Sequence, residues 1–154
     1  MIKEVEGDLI KMALAGEFEA IAHGCNCMNA QKSGIAKQMV ENFHTNTYEL
    51  ERHELYGSIL KLGHIEGRQF ALNDKILTVF NFYTQYSFAT KENPKPFNYG
   101  AFWSCLQSYR TNFPMLSLGI PMIGAGLAGG EWSRIREIIE EFHGLDITIV
   151  KFKQ

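Results

Sequence analysis

The feature that most narrows what this chain can fold into is the segment Gly124-Ala125-Gly126-Leu127-Ala128-Gly129, three glycines set between two apolar runs of different period. The run before it, residues 115–123, is broken only by Ser117, Gly119 and Pro121 and reads as a buried strand. After it, Trp132, Ile135, Ile138, Ile139 and Phe142 recur at helical spacing until Gly144 ends the pattern. A strand that feeds a helix through glycines is the βα unit of an α/β domain. Glycine lets the backbone come close to an anion, and the free N–H groups of the helix start point at it with the favourable end of the helix dipole. The loop therefore reads either as a phosphate cradle or as a tight turn that packs strand on helix.

The loop also fits G-x-G-x-x-G literally, with Asp146 further on, as a dinucleotide-binding fingerprint would have it. Its position argues against that fold, which carries the fingerprint in its first βα unit and needs a second half that the 25 residues after Gly129 cannot build. A triphosphatase loop is excluded because no Lys-Ser or Lys-Thr follows the glycines. The phosphate-binding physics survives both rejections.

A second loop of the same kind lies upstream. Residues 18–23 form an apolar strand that opens at Gly24, and Ile35, Met39 and Phe43, with Ala36 and Val40 beside them, mark the buried face of the helix that follows. Between them runs Gly24-Cys25-Asn26-Cys27-Met28-Asn29-Ala30-Gln31-Lys32-Ser33-Gly34, which offers amide side chains to sugar hydroxyls and helix-start N–H groups to phosphate. Charged residues 46–56 read as helical up to Gly57; residues 64–71 and 75–82 read as a hairpin turning at Asn73-Asp74. Phe102, Leu106 and Tyr109 mark another helix, and residues 146–152 the last strand. This alternation predicts one domain over residues 1–154, with a largely parallel sheet covered on both faces and a ligand site at the carboxyl ends of its strands.

Charge and composition remove other classes. Fifteen basic and 17 acidic residues are spread along the chain with no Lys/Arg run, so a nucleic acid is not expected as the main partner. No apolar stretch reaches the ~20 residues that span a bilayer, and the start of the chain lacks a signal peptide's regions, so a cytoplasmic protein is expected; a monomer is expected separately. Cys25, Cys27 and Cys105 are an odd number without zinc-ligand spacing, and read as free thiols with neither disulfide nor metal. The three aspartates, Asp8, Asp74 and Asp146, form no D-x-D pair, and neither Cys25 nor Cys27 has an arginine six residues on, so the usual phosphatase nucleophiles are missing. His23, at a strand end beside the phosphate loop, is a candidate general acid or base because imidazole titrates near neutrality; a satisfied, buried histidine is the other reading.

Gly7-Asp8-Leu9, His23 through Ala36, and Ile120 through Trp132 together resemble the three ligand loops of a macrodomain, in order and spacing, with residues 64–115 matching more weakly. The H-x-C-N-C segment, the G-I-A that follows and the ending at Trp132 are most similar to the fungal-type ADP-ribose 1″-phosphate phosphatase group. The resemblance implies a three-layer α/β/α sandwich with a mixed, largely parallel sheet and a cleft for ADP-ribose, without a cofactor. It implies that Asp8 meets the adenine amino group, with Gly7 and Leu9 beside it, and that Phe152 stacks on the base. Asn26 would face the distal ribose, with Gly24 and Cys25 also among the ligand-binding residues; Gln31, Lys32, Ser33, Gly34, Ile35 and Ala36 would form the first phosphate loop, and Gly124, Ala125, Gly126, Leu127, Ala128 and Gly129 the second. His23 would be catalytic in hydrolysis of the 1″-phosphate. Two departures stand out: Ala128 replaces an aromatic over the distal ribose, and Gln31-Lys32-Ser33 replaces part of a glycine run. A hydrolase that removes ADP-ribose from a modified target, and a reader that only binds it, are the alternatives.

Overall fold

Six strands form one mixed sheet whose parallel members all end on the same side of the molecule. The computed structural model describes residues 1–32, 34–48, 55 and 57–152. The strands are β1 (Ile2–Gly7), β2 (Ala20–Asn26), β3 (Ile65–Leu72), β4 (Lys75–Gln85), β5 (Leu118–Ile120) and β6 (Ile147–Phe152), ordered β1-β6-β5-β2-β4-β3 across the sheet. Every neighbouring pair is parallel except the β3–β4 hairpin at one edge, which turns on Asn73 in the left-handed conformation that asparagine tolerates. The helices are α1 (Leu9–Leu14), α2 (Gly34–Phe43), α3 (Tyr99–Asn112) and α4 (Trp132–Glu140).

Side chains alternate across the strands, and each face has its own core. Ile21, Leu77, Val79 and Val150 pack on Leu9, Ile10 and Ala13 of α1 and on Met39 and Phe43 of α2. Ala20, Ala22, Phe80, Phe82, Ile120 and Ile149 pack from the other face on Phe102, Leu106 and Tyr109 of α3 and on Ile135 and Ile139 of α4. The result is the expected α/β/α sandwich. Central strands buried on both faces read as continuous apolar runs, which is why Ala20-Ile21-Ala22 and Leu118-Gly119-Ile120 show no alternation.

Three expectations change. The strand read over residues 115–123 is only Leu118–Ile120, because Pro121 has no N–H to give the ladder and the chain turns there into the glycine loop. β1 and α1 were not anticipated. β1 is an edge strand with Lys3, Glu4 and Glu6 exposed, and Glu4 pairs with Arg136 at 3.2 Å and Lys151 at 3.5 Å; charged edges of this kind have no apolar signature. α1 is a single short helix whose first turn is capped by Asp8, which accepts from the Lys11 N–H at 3.0 Å. Thr45–Thr47 forms a 3₁₀ turn, and the helix expected over 46–56 falls mostly on residues 49–54 and 56, outside those described. Among the described residues no helix is long and apolar enough to cross a membrane.

Candidate functional site

Because β1, β6, β5, β2 and β4 run in parallel, the residues after each strand converge on one end of the sheet, and there the surface opens into a two-chambered cleft. One chamber, of 1080 Å³, is walled by Glu6, Gly7, Asp8 and Leu9 from the end of β1, by Gln38 of α2, and by Val150, Lys151 and Phe152 of β6. The other, of 520 Å³, is walled by Gly24, Asn26 and Ala30 of the first loop, Thr84, Gln85, Phe88 and Ala89 after β4, and Ile123, Gly124, Leu127 and Ala128 of the second loop. Gly34, Ile35, Pro121, Met122 and Gly126 line both chambers and form the narrow between them. A separate hollow of 680 Å³ lies over the β3–β4 hairpin, but its walls are residues of those two strands with Glu19, Phe113 and Leu116, and no helix start.

The two loops face this narrow with unused donors. In the second loop, Gly124 takes φ +80°, Gly130 N–H donates to the Gly124 carbonyl at 2.7 Å, and Gly129 N–H donates to the Gly126 carbonyl at 3.1 Å. Those two bonds close the loop and leave the N–H groups of Gly126, Leu127 and Ala128 without a partner among the described residues. Successive free N–H groups in a tight turn make an anion-binding concavity. Opposite them, α2 begins at Gly34 (φ +60°), and the N–H groups of its first turn have no intrahelical acceptor. Neither Gly34 nor Gly126 has a neighbouring atom within 4 Å of where a Cβ would sit, so both present bare backbone to the cleft.

Below the first loop lies a buried polar network. Asn81 Nδ2 donates to the Thr45 carbonyl at 2.9 Å and approaches the Tyr83 hydroxyl at 3.3 Å; the hydroxyl in turn donates to Glu66 Oε1 at 2.8 Å. The amide oxygen of Asn81 is thereby the side facing His23, so His23 Nε2–H is the donor in the 2.8 Å contact between them and Nδ1 carries no proton. His23 is 0% exposed and Nδ1 has no partner among the described residues. Burial holds its pKa down at about 4, against a smaller opposing effect of the Asn81 bond, so the ring is neutral at physiological pH. Cys25 Sγ lies 3.3 Å from His23 Nε2, and burial pushes its thiol well up.

Gln31 joins the same network. Thr45 Oγ1 donates to Gln31 Oε1 at 2.5 Å, and Gln31 Nε2 reaches the Thr45 carbonyl at 3.5 Å. The Asn26 side chain staples the loop above: its oxygen accepts from Met28 N–H at 3.0 Å and Ala30 N–H at 3.1 Å, while Nδ2 donates to the Ala30 carbonyl at 3.0 Å.

Of the predicted site residues, the cleft brings together Gly7, Asp8, Leu9, Gly24, Asn26, Gly34, Ile35, Ala36, Gly124, Ala125, Gly126, Leu127, Ala128 and Phe152. His23 and Cys25 turn inward into the network instead, since alternate β2 residues point to opposite faces, and Gln31, in the loop beyond β2, is drawn in by its bonds to Thr45. Lys32 is exposed and lines neither chamber; Gly129 lies against Lys95 rather than the cleft. Ser33 is outside the described residues. The sequence reading missed Thr84, Phe88 and Met122 as walls, and Asn81 and Thr45 as supports. Asn81 did carry a signal, a lone amide inside the apolar run Val79-Phe80-Asn81-Phe82-Tyr83.

This is the macrodomain fold. The chain is similar to the macrodomain of Thermus aquaticus DarG (19% identity, 100% of this chain and 99% of that one, TM-score 0.71) and to Thermosipho africanus DarTG in complex with ADP-ribose (18% identity, 98% of this chain and 41% of that one, TM-score 0.69). No family model matches its sequence. It is 30% identical to the uncharacterized 17.5 kDa protein of the tk-vs intergenic region of Enterobacteria phage T4, over 99% of this chain and 97% of the phage protein, and it belongs to that protein's family.

Proposed function

We propose that the cleft binds ADP-ribose, with adenine in the 1080 Å³ chamber, the two phosphates at the narrow, and the distal ribose in the 520 Å³ chamber. The observation that carries this reading is the narrow itself, where the start of α2 and the free N–H groups of 126–128 meet across bare glycine backbone midway between the chambers. The register of β1 with β6 sets Phe152 directly beside Gly7, so Asp8 and Phe152 stand together at the outer end, one as an acceptor for an amino group and the other as an apolar face for a base. The ADP-ribose held by the DarTG neighbour supports the same ligand here. Calorimetric titration with ADP-ribose tests the reading, and an absence of binding up to millimolar ligand sinks it.

The finer reading, drawn from the H-x-C-N-C resemblance, is hydrolysis of ADP-ribose 1″-phosphate to ADP-ribose and phosphate. No titratable side chain is among the described residues that line the distal chamber, and His23 would have to leave its bond to Asn81 to reach a phosphoryl group there. Binding is therefore ranked first. Phosphate release from the 1″-phosphate by the wild type, lost in His23→Ala, supports the phosphatase. Release of ADP-ribose from a modified target instead makes the chain a hydrolase, a reading weakened because Asn81-Phe82-Tyr83-Thr84-Gln85, after the hairpin, holds no lysine and the second loop has Ala128 and no aspartate.

A further inference from the structure

The distal chamber has an apolar lip that its walls do not explain. Phe88 and Leu127 both line it, yet 54% of Phe88 and 80% of Leu127 remain exposed, and among the described residues no other ring stacks on Phe88. An exposed aromatic on a loose tip would mean little, but this one is held from both sides. The Gln85 and Tyr86 carbonyls both accept from the Cys27 N–H, at 3.1 and 2.9 Å, which ties the end of β4 to the first loop. Gln85 Nε2 donates to the Ser87 carbonyl at 2.8 Å, Ser87 Oγ donates to the Phe88 carbonyl at 3.1 Å, and beyond it Thr90 and Asn93 close a turn with bonds of 3.0 Å in each direction. The ring is thus presented by a braced segment at the mouth of a chamber.

The rest of that chamber is backbone with non-aromatic side chains, among them Asn26, Thr84, Gln85, Ile123, Ala30 and Ala128. With Ala128 small, the second loop supplies no ring of its own to hold a flat or puckered group against the glycine backbone. We propose that Phe88, with Leu127 across the lip, is the residue that sets specificity for the distal sugar, packing the apolar C–H face of a pentose that extends past the second phosphate. The proposal rests on the reading of the cleft as an ADP-ribose site. It separates ligands by length: ADP-ribose reaches the lip, whereas ADP ends at the narrow.

The test is calorimetric titration of the wild type, Phe88→Ala, Phe88→Tyr and Leu127→Ala with ADP-ribose and with ADP, each variant checked by its melting temperature. Burying one face of the ring corresponds to a loss of about tenfold in ADP-ribose affinity for Phe88→Ala. The expected result is that loss, a smaller one for Leu127→Ala, recovery in Phe88→Tyr, and ADP affinity within about twofold in the two Phe88 variants. Equal weakening of both ligands in Phe88→Ala would place the effect in the loop and overturn the proposal, as would unchanged ADP-ribose affinity. If the wild type does not bind ADP-ribose at all, the reading of the cleft fails first and this inference with it.

Discussion

Two glycines of the second loop, two positions apart, are expected to respond to alanine in opposite ways. Gly124 sits at φ +80°, where an L side chain costs about 1–2 kcal/mol, and a Cβ there would come within 2.5 Å of the Phe97 ring. Phe97 is buried and held edge-on against Tyr99 at 5.2 Å and tilted against Phe102 at 5.8 Å, so it has little room to give, and such overpacking adds about 1–3 kcal/mol. Gly124→Ala should therefore lose roughly 3 kcal/mol, which lowers the melting temperature by about 6–12 °C for a domain of this size. Gly126 takes no left-handed φ and has nothing within 4 Å of its would-be Cβ, so Gly126→Ala should stay within about 0.5 kcal/mol of the wild type. Its methyl group enters the narrow where the phosphates are proposed to lie, and ADP-ribose affinity should fall by at least about tenfold, close to 1.4 kcal/mol. Thermal unfolding followed by circular dichroism, with calorimetry on Gly126→Ala, separates the two. A Gly124→Ala protein that melts with the wild type, or a Gly126→Ala protein that binds ADP-ribose as well as the wild type, would refute the reasoning.

Other outcomes follow from single contacts. The folded pKa of His23, about 4, lies below its unfolded value of 6.5, so the unfolded chain takes up the proton first as pH falls. Stability is expected to be unaffected by this group above pH 6.5 and to drop by about 3 kcal/mol between pH 6.5 and 4; denaturant titrations across that window should show a shallower acid loss in His23→Gln. Asp8→Asn keeps an oxygen for the Lys11 N–H, so the melting temperature should move by no more than about 1 °C, while ADP-ribose affinity drops about tenfold because an amide N–H₂ replaces a carboxylate acceptor in the adenine chamber. Asn81→Leu strands the His23 N–H and removes the shorter of the two bonds to the Thr45 carbonyl, and should cost about 2–4 kcal/mol by denaturant unfolding.

The parts of the fold that could be read in the sequence are those where a local pattern and the tertiary role coincide. The α2 and α4 stripes, the β3–β4 hairpin at Asn73, and the β2 run all bury what their period says they bury. β1 could not be read that way, because an edge strand needs charges such as Lys3 and Glu6 more than apolar residues. The loops were legible as backbone features, since a glycine that must take positive φ or lie bare in a cleft is visible as a glycine. Side-chain direction was not. Whether His23 faces ligand or interior depends on one residue of strand parity, and loop residues such as Phe88 reach the cleft through long-range bonds that no local window contains.

That parity divides the end of β2 between two tasks. Gly24 and Asn26 open on the distal chamber, while His23 and Cys25, alternating with them, point into the network that holds Asn81, Thr45 and Gln31. Gln31 is the link, because it is buried in the network and stands three residues before Gly34, where the first-loop N–H groups reach the narrow. Substituting Gly24 would act on the ligand side at once, since a Cβ there meets Ile123 at 2.9 Å and Thr84 Oγ1 at 3.0 Å on the chamber wall. Substituting His23 or Asn81 acts only through the position of Gln31 and the loop above it. An effect of His23 on binding is therefore not evidence that its imidazole touches the ligand; for that, His23→Ala must abolish turnover while leaving ADP-ribose affinity and the melting temperature unchanged, a combination that loss of a buried supporting bond does not produce.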